Sequence, residues 1–326
     1  NNIPLDRCAA AGIPVFSTPG ANANAVKELV ICAMLMGSRD IPGAIRWVRE
    51  QAASGVDVST VVEKGKSAFI GPELYKKTLG IIGLGAIGSI VANTAISLGM
   101  DVYGYDPFLS VDTALRLDRH VHVVKDINDL YKRSDYITMH IHYTEKTARM
   151  IDASAIAAMK RGVRFINLAR GEIVDDDAML AGLESGKVGK YVTDFPNKKL
   201  IGARNCITTP HLGACTPESE EKCSVMAAQE IYDYLANGNI RNSVNMPNAS
   251  LERMGACRLC VIHRNVPNMI NSILDLISAR NINIEHMINK PRGGYAYTMI
   301  DLAEKVNGEI TGQIQKNPDV LRVRVI

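Results

Sequence analysis

Residues 79–88, with the sequence LGIIGLGAIG, decide the fold of this chain. The short apolar run predicts a strand, and Gly83, Gly85 and Gly88 follow it with G-x-G-x-x-G spacing where a helix begins. The first glycine permits a tight turn, the second lets a pyrophosphate approach the backbone, and the third lets helix and strand pack closely. Ala86 and Ile87 lie at the helix N-terminus, where free N–H groups and the helix dipole stabilise phosphate charge. The stretch therefore predicts a dinucleotide-binding turn.

On both sides of this turn, short apolar runs alternate with helical stretches, as in βαβ units around a parallel sheet. The predicted strands are residues 79–82, 102–105, 136–141, 165–168, 191–193 and 206–208. Helical periodicity also predicts helices over residues 24–39 and 218–236. The pattern favours an α/β fold with a doubly wound parallel sheet of the Rossmann type.

Asp106 lies 18 residues after Gly88, at the end of the predicted strand 102–105. A carboxylate at this position accepts hydrogen bonds from the adenosine ribose hydroxyls, and its charge repels a 2′-phosphate. The alternative is that Asp106 and Pro107 form only a turn at the end of a strand. The position favours a cofactor site that selects NAD over NADP.

Two further polar residues follow predicted strands at the same edge of the sheet. Arg170 comes after strand 165–168, and its planar guanidinium suits a 2-oxo acid, whose carboxylate and carbonyl oxygens it would bind and polarise. His211 comes after strand 206–208, and an imidazole titrates near neutral pH, as a proton donor and acceptor must. Each residue alone has an ordinary alternative, a surface ion pair for Arg170 and a structural histidine for His211.

Composition excludes several other classes of function. The 326 residues carry 37 basic and 34 acidic side chains, a net charge of +3, and the basic residues are scattered, so nucleic-acid binding is not expected. No apolar run reaches the roughly 20 residues of a membrane span and no signal peptide is evident, which favours the cytoplasm and no membrane partner. Cys257 and Cys260 form a C-x-x-C without a second ligand pair, so we expect inert thiols and no metal site.

The C-terminal part predicts a separate domain. The segment 243–256, SVNMPNASLERMGA, is rich in Asn, Ser, Pro and Gly and is interpreted as a linker. Beyond it we predict strand 258–263, helix 266–280, strand 283–289, strand 295–302, helix 308–316 and strand 321–326. This βαββαβ order is the ferredoxin-like arrangement.

Together these segments resemble the D-2-hydroxyacid dehydrogenase family over residues 1–245. The resemblance is carried by TPGAN at 18–22, the glycines of 83–88, Asp106, NLARGEIVD at 167–175, Asp194, and TPHLG at 209–213. It implies that Arg170 binds and polarises the substrate and that His211 is the acid/base. It also implies that Asp194 and Gly213 belong to the cofactor site, with Asp194 orienting the nicotinamide amide, and that Asn22 lines the active-site cleft.

The chain departs from the family pattern in two places. Family members commonly carry a glutamate hydrogen-bonded to the histidine, whereas residues 195–210 contain no carboxylate. Because that negative charge is missing and Lys198 and Lys199 are near in sequence, we expect the acid group to lose its proton at lower pH than in such relatives. Alternatively, one of these lysines helps hold a substrate phosphate. The second departure is the start, which resembles the middle of the family's first lobe, so a truncated, incomplete substrate domain is expected.

The C-terminal segment resembles an ACT domain, a module that typically binds an amino acid between paired copies. The predicted domains are an incomplete, partly flavodoxin-like substrate lobe (1–21 and 213–250), an NAD-binding domain (22–212) and an ACT domain (256–326). A core followed by an ACT domain resembles phosphoglycerate dehydrogenases inhibited by L-serine. This implies NAD-dependent oxidation of D-3-phosphoglycerate, the first step of L-serine biosynthesis. The family pattern would place His263, Asn265 and Asn283 against serine, although Val266-Pro267-Asn268 replaces the usual Arg-Pro-Gly.

Two other interpretations stay open. One is a hydroxypyruvate or glyoxylate reductase of the same family, and the other is a catalytically inactive, NAD-sensing interaction protein. A purely dimerising ACT domain is the alternative to a serine site. The resemblance also implies at least a homodimer, or a homotetramer, because ACT domains pair edge to edge and the helices after Asn24 resemble the family's dimer arm.

Overall fold

A parallel sheet of seven strands organises Asn22–Glu220, the larger of the two units into which the chain divides. The second unit combines Asn1–Ala21 with Glu221–Ile326. The computed structural model describes residues 2–306 and 308–326. Asn1 and Asn307, which fall in the predicted substrate and ACT domains, lie outside the described residues.

The strands of the larger unit run in the order β3-β2-β1-β4-β5-β6-β7. They are β1 (Thr78–Ile82), β2 (Asp101–Tyr105), β3 (Val121–Val123), β4 (Tyr136–Met139), β5 (Val163–Asn167), β6 (Val188–Thr193) and β7 (Cys206–Thr208). The chain winds outward from β1 in both directions, which confirms the predicted Rossmann-type sheet. Ligands of such sheets bind beyond the carboxyl ends of the strands, at the point where the order reverses.

Helices cover both faces of this sheet. The helices of the chain are α1 (Leu5–Ala10), α2 (Ala23–Ser38), α3 (Ile41–Ala53), α4 (Val58–Gly65), α5 (Ala86–Ser97), α6 (Val111–Ala114), α7 (Ile127–Arg133), α8 (Ala153–Ala158), α9 (Asp176–Glu184), α10 (Pro217–Asn237), α11 (Met269–Ser278) and α12 (Gly308–Gln315). One apolar core contains α2 and α5, with Met34 and Val91 fully buried. The other contains α7, α8 and α9, with Leu130 and Met179 fully buried.

Aspartate side chains fix where several of these helices begin. A carboxylate oxygen that accepts a backbone N–H of the first turn satisfies a donor that has no partner within the helix. The capping residues are Asp40 for α3, Asp57 for α4, Asp126 for α7, Asp152 for α8 and Asp175 for α9. Local sequence thus sets the helix starts, while the apolar faces set the packing.

The structure corrects some predicted boundaries. The strand β3 was not predicted because its three residues include His122 and lie at the partly exposed edge of the sheet, so no apolar run marks it. The strand predicted to reach Ile141 ends at Met139. The helix predicted from Val266 begins at Met269, since Pro267 lies in the turn and Asn268 adopts a positive φ of 62°.

A four-stranded antiparallel sheet organises the second unit, in the order β11-β8-β10-β9. The strands are β8 (Cys257–Arg264), β9 (Ile284–Arg292), β10 (Tyr295–Leu302) and β11 (Val320–Val325). With α11 and α12 they give the predicted βαββαβ order, and both helices pack on one face of the sheet. Cys257 lies in the core on that face and Cys260 in the core on the other, so the two thiols of the C-x-x-C point apart.

Residues 243–256, which were interpreted from the sequence as a linker, fall within the second unit, and their first half packs against it. Met246 is fully buried in the apolar cluster on the face of the sheet opposite α11 and α12. Arg292 donates to the carbonyl oxygens of Ser243 (2.7 Å) and Met246 (3.1 Å), and Arg258 donates to those of Leu251 and Glu252. Guanidinium groups supply donors to carbonyl oxygens that have no partner in a helix or strand.

The division into two compact units also differs from the three predicted domains. The predicted ACT domain and most of the residues assigned to the incomplete substrate lobe form one unit. Ala9, Tyr234 and Met246 belong to the same apolar cluster as the side chains on one face of the antiparallel sheet. Among the described residues no helix is long and apolar enough to span a membrane.

Candidate active site

The glycine turn adopts the geometry that its sequence predicts. Gly83 has a φ of 89°, and a Cβ there would lie 2.7 Å from the carbonyl oxygen of His140. A Cβ on Gly88 would lie 1.9 Å from the carbonyl oxygen of Gly83, whereas one on Gly85 would meet no protein atom within 4 Å. Two glycines therefore serve the packing of the turn, and Gly85 leaves open space at the N-terminus of α5, where Ala86 and Ile87 follow.

Asp106 lies directly after β2 and is tied to the glycine turn. Its Oδ2 accepts the backbone N–H of Leu84 and its Oδ1 accepts that of Phe108, both at 2.9 Å. A carboxylate oxygen has two lone pairs, so each oxygen keeps capacity for a ribose hydroxyl. The structure brings together the predicted phosphate turn and the predicted ribose acceptor.

Arg170 lies in the turn after β5, and a buried asparagine holds that turn. Asn167, fully buried at the end of the strand, donates to the carbonyl oxygen of Arg170 at 3.0 Å and accepts the N–H of Ala169 at 3.1 Å. The Arg170 side chain is exposed, with Nη1 donating to the carbonyl oxygen of Ala169 at 2.6 Å. No other hydrogen bond of this guanidinium is present among the described residues, so its remaining donors can bind a ligand.

His211 follows β7 and is exposed. Its ring lies against that of Phe195, with centroids 4.7 Å apart and planes inclined by 50°. Gly213, two residues on, donates its N–H to Asp194 Oδ2 at a long 3.4 Å. Val26 of α2 lies 3.5 Å from where a Cβ of Gly213 would be, so the first turn of α2, which begins after Asn22, adjoins this loop.

Asp194 is the unusual polar group of this region. It directly follows β6, is fully buried, and its Oδ1 has no hydrogen-bond partner among the described residues. Burial raises the pKa of this carboxyl group, and the neighbouring charge of His211 acts against the rise. A buried acceptor without a donor costs about 1–3 kcal/mol, which a ligand that donates there would offset.

Asp194 and His211 line one cleft of about 890 Å³. The cleft also contains Gly171, the residue after Arg170, and the side of Phe195. Its other charged lining residues are Arg149, Glu172, Asp175, Asp176, Asp177 and Lys199. Lys199 Nζ lies 2.6 Å from Asp177 Oδ1, so this lysine is already engaged with a carboxylate.

Sequence reasoning missed three residues that shape the site: Asn167, Phe195 and His140. His140 follows β4 at the same edge of the sheet as Arg170 and His211, and burial lowers its pKa to about 3, so it is neutral. Arg170 and His211 were predicted because each follows a strand. His140 also follows a strand, but the strand was predicted to continue to Ile141, so His140 was not recognised. No sequence pattern shows that Asn167 holds the turn or that Phe195 contacts His211.

The three residues predicted to bind an amino acid are not brought together within one chain. His263 is buried, with Nδ1 2.7 Å from the carbonyl oxygen of Arg264 and Nε2 2.8 Å from Thr298 Oγ1. Asn265 follows β8, whereas Asn283 precedes β9, which runs parallel to β8. With about 3.3 Å per residue, the two asparagines lie at opposite ends of the sheet, roughly 20 Å or more apart.

The fold and these groups define a dinucleotide-binding oxidoreductase domain. The sequence matches the family described as D-isomer specific 2-hydroxyacid dehydrogenase, NAD binding domain, over residues 31–213. This is more than half of the chain, and the chain belongs to that family.

Curated relatives match much more of the chain. A D-3-phosphoglycerate dehydrogenase of Methanocaldococcus jannaschii is 34% identical over 282 residues, covering 84% of this chain and 51% of the relative. Those of Haemophilus influenzae and Escherichia coli are 32% and 31% identical over the whole of this chain, covering 78% and 79% of their own lengths. The chain thus spans about half the length of the archaeal relative.

Solved structures of the family resemble about three quarters of the chain. The apo D-mandelate dehydrogenase of Rhodotorula graminis has a TM-score of 0.64 and 26% identity, covering 74% of this chain and 71% of the other. The D-lactate dehydrogenase of Aquifex aeolicus, solved with NAD and lactic acid, has a TM-score of 0.58 and 28% identity, covering 76% and 77%.

The residues present fit NAD. The open space at Gly85 suits a pyrophosphate at a helix N-terminus. Asp106 retains acceptor capacity for the ribose hydroxyls, and the unpartnered Oδ1 of Asp194 suits a carboxamide N–H donor. These groups, at the same edge of the sheet, are the ones that would hold the cofactor.

Proposed function

We propose that this chain is an NAD-dependent 2-hydroxyacid dehydrogenase that oxidises D-3-phosphoglycerate to 3-phosphohydroxypyruvate, the first step of L-serine biosynthesis. One observation carries the choice of substrate. The two bacterial D-3-phosphoglycerate dehydrogenases match 100% of this chain, including the second unit, whereas the mandelate and lactate enzymes match only about three quarters.

Arg170 and His211 divide the chemistry between them in this proposal. The exposed guanidinium of Arg170 would bind the substrate carboxylate and polarise the C2 oxygen, in a turn held by Asn167. A ring nitrogen of His211 would take the proton of the C2 hydroxyl during oxidation and return it during reduction. NAD, when bound, accepts the hydride that leaves C2. Asn22, at the start of α2, would line the same cleft.

The electrostatics of the cleft support the acid/base role. Asp194 is close enough for its charge to interact with His211, so the histidine is not without a carboxylate although residues 195–210 contain none. Lys199, which is paired with Asp177, is less available to a substrate phosphate than the sequence alone indicated.

A substrate panel tests the proposal. NADH oxidation by this chain would be followed with 3-phosphohydroxypyruvate, hydroxypyruvate and glyoxylate, and NADH binding would be measured separately by fluorescence. We expect preference for the phosphorylated substrate. A glyoxylate reductase of Paecilomyces thermophila, with a TM-score of 0.60 and 26% identity, supports a second candidate, which preference for an unphosphorylated substrate would establish. NADH binding without turnover of any of the three would favour an NAD-sensing protein.

We also propose that L-serine binds the second unit at an interface of two copies. Asn265 and Asn283 lie at opposite ends of the sheet, so one serine would contact Asn265 of one copy and Asn283 of the other. His263, which already uses both ring nitrogens, would have to exchange one of these bonds. We expect L-serine to inhibit turnover, and unchanged activity and no binding of serine would remove this part of the proposal alone.

A homodimer is supported by the surface of the larger unit. None of the residues of α3 and α4 is buried, although both helices carry apolar side chains. Ile41, Ile45, Val48 and Val62 are each at least 37% exposed. Exposed apolar faces of this kind typically mark interfaces between proteins, and sedimentation velocity would show whether the chain is a dimer or a larger assembly.

A further inference from the structure

Phe195 connects the two loops that carry the predicted catalytic side chains. Its ring lies 4.7 Å from that of His211, centroid to centroid. The Cβ of Phe195 also lies 3.2 Å from where a Cβ of Gly171 would be. Gly171 directly follows Arg170, so one side chain contacts the arginine turn and the histidine loop.

The position of Phe195 is set by the end of β6. Its backbone N–H donates to Thr193 Oγ1 at 3.1 Å, and both Thr193 and Asp194 are fully buried. A rigid strand end thus fixes where the ring leaves the backbone. A Cβ on Gly171 would lie 3.2 Å from Phe195 Cβ, closer than an ordinary van der Waals contact, so one of the two residues would have to shift by a few tenths of an ångström.

No hydrogen bond within the described residues orients the ring of His211. Within residues 2–306 and 308–326, no hydrogen bond to either ring nitrogen of His211 is present, and residues 195–210 contain no carboxylate that could reach it. Asp194 interacts with His211 by charge, but charge alone does not fix the plane of an imidazole. The contact with Phe195 does, since tilted aromatic pairs favour particular inclinations.

Phe195 is also not a core residue of the larger unit. It is half-buried, and neither of the two apolar clusters that pack the described faces of the sheet includes it. Its contacts are with the site rather than with the helices that stabilise the fold.

We propose that Phe195 is a positioning residue that orients the imidazole of His211 by ring contact, where a hydrogen-bonded carboxylate would otherwise do so. The same side chain sets the spacing between the histidine and the turn of Arg170. The effect on turnover rests on the proposed function, whereas the orientation of the ring does not.

Two variants and a matched control test this role. Phe195→Leu removes the aromatic ring and keeps an apolar side chain, and Phe195→Tyr keeps the ring. Phe69→Leu is the control, because Phe69 is likewise half-buried and pairs with one aromatic ring, that of Trp47 at 6.1 Å. Circular dichroism would confirm that all three variants fold.

The first readout needs no substrate. The proton on Cε1 of His211 is identified in the NMR spectrum of the whole chain by its loss in His211→Asn. We expect Phe195→Leu to shift this resonance, because the ring current is lost, and Phe195→Tyr and Phe69→Leu to leave it nearly unchanged. An unchanged resonance in Phe195→Leu would overturn the proposal, whatever the chain catalyses.

The second readout is kinetic. With 3-phosphohydroxypyruvate, Phe195→Leu should lower kcat by about 10- to 100-fold, since a displacement of about 1 Å costs up to two orders of magnitude, and should change KM little. Phe195→Tyr should retain most of kcat. Equal kcat and the same pH profile in Phe195→Leu and the parent would refute the role, and absence of turnover in the parent would refute the proposed function while the NMR result stands.

Discussion

Two fully buried carboxylates, one in each unit, differ in how their oxygens are satisfied. Asp301 receives Nε and Nη2 of Arg258 at 2.6 and 2.8 Å and the N–H of Met254 at 2.8 Å. Asp194 accepts the N–H of Gly213 at a long 3.4 Å, and its Oδ1 has no partner among the described residues. A satisfied buried charge maintains structure, whereas an unsatisfied one at a sheet edge marks the place of a ligand.

The two histidines singled out by the sequence differ in the same way. His263 is buried and both of its ring nitrogens have partners, whereas His211 is exposed and its ring contacts only Phe195 among the contacts described above. We therefore expect changes in the larger unit to affect chemistry and binding, and changes in the second unit to affect stability first. The four predictions below test that contrast.

The largest effect is expected for His211→Asn. Asparagine cannot transfer a proton, so kcat/KM for 3-phosphohydroxypyruvate should fall by about 10² to 10⁴-fold. Stability should not change, because the exposed ring forms no hydrogen bond within the described chain. Steady-state kinetics measures kcat/KM, and thermal unfolding measures stability. A clear loss of stability with little loss of rate would place His211 with the structural histidines instead.

Arg258→Met should lower the free energy of unfolding by about 3–5 kcal/mol, because it leaves the buried carboxylate of Asp301 unpaired. The change also removes donors from the carbonyl oxygens of Asn237, Leu251 and Glu252. Urea unfolding followed by circular dichroism measures the loss. The control is Arg241→Met, whose partner Asp233 is 3.6 Å away and whose side chain is mostly exposed, so that it should cost less than about 1 kcal/mol. Equal losses would contradict the structural role of Arg258.

Two glycines of one turn separate packing from binding. A Cβ on Gly88 would collide with the backbone of Gly83, so Gly88→Ala should lower both stability and NADH affinity. A Cβ on Gly85 meets no protein atom, so Gly85→Ala should keep its stability and weaken NADH binding at least tenfold, about 1.4 kcal/mol. Fluorescence titration with NADH and thermal unfolding distinguish the two outcomes. Full NADH affinity in Gly85→Ala would mean that the pyrophosphate lies elsewhere.

The sequence predicted what depends on local pattern. The strands β1, β2, β4, β5, β6 and β7 and their parallel arrangement followed from short apolar runs that alternate with helical stretches, and the glycine turn marked the start of one of those helices. The positions of Asp106, Arg170 and His211 followed from one rule, that polar residues after such strands meet at one edge.

Long-range packing was not predictable in this way. The packing of residues 243–246 was not predicted because the donor that binds the carbonyl oxygens of Ser243 and Met246, Arg292, lies more than 40 residues away in the sequence. Phe195 was not recognised because its contacts, His211 and Gly171, lie on two different loops. The unpartnered oxygen of Asp194 likewise depends on every neighbour in the fold.

The smallest effect concerns pH. Burial lowers the pKa of His263, so below about pH 6.5, where an unfolded histidine takes up a proton, the unfolded chain binds more protons than the folded chain. Stability should therefore fall as the pH decreases from 7.5 to 5.0. His263→Gln should make that fall shallower, whereas His286→Gln, at an exposed position on β9, should not. Urea unfolding midpoints at the two pH values measure the difference.

Some pH dependence should remain in His263→Gln, because burial also lowers the pKa of His140, to about 3, in the larger unit. Both histidines make stability fall as the pH decreases, so only the variants distinguish the contribution of His263 from that of His140. If the two units unfold in separate transitions, His263→Gln should change the acid sensitivity of one transition only. A pH dependence in His263→Gln equal to that of the parent would show that His263 can be protonated without breaking its bonds to Thr298 and the backbone, and the contrast with His211 would then rest on exposure alone.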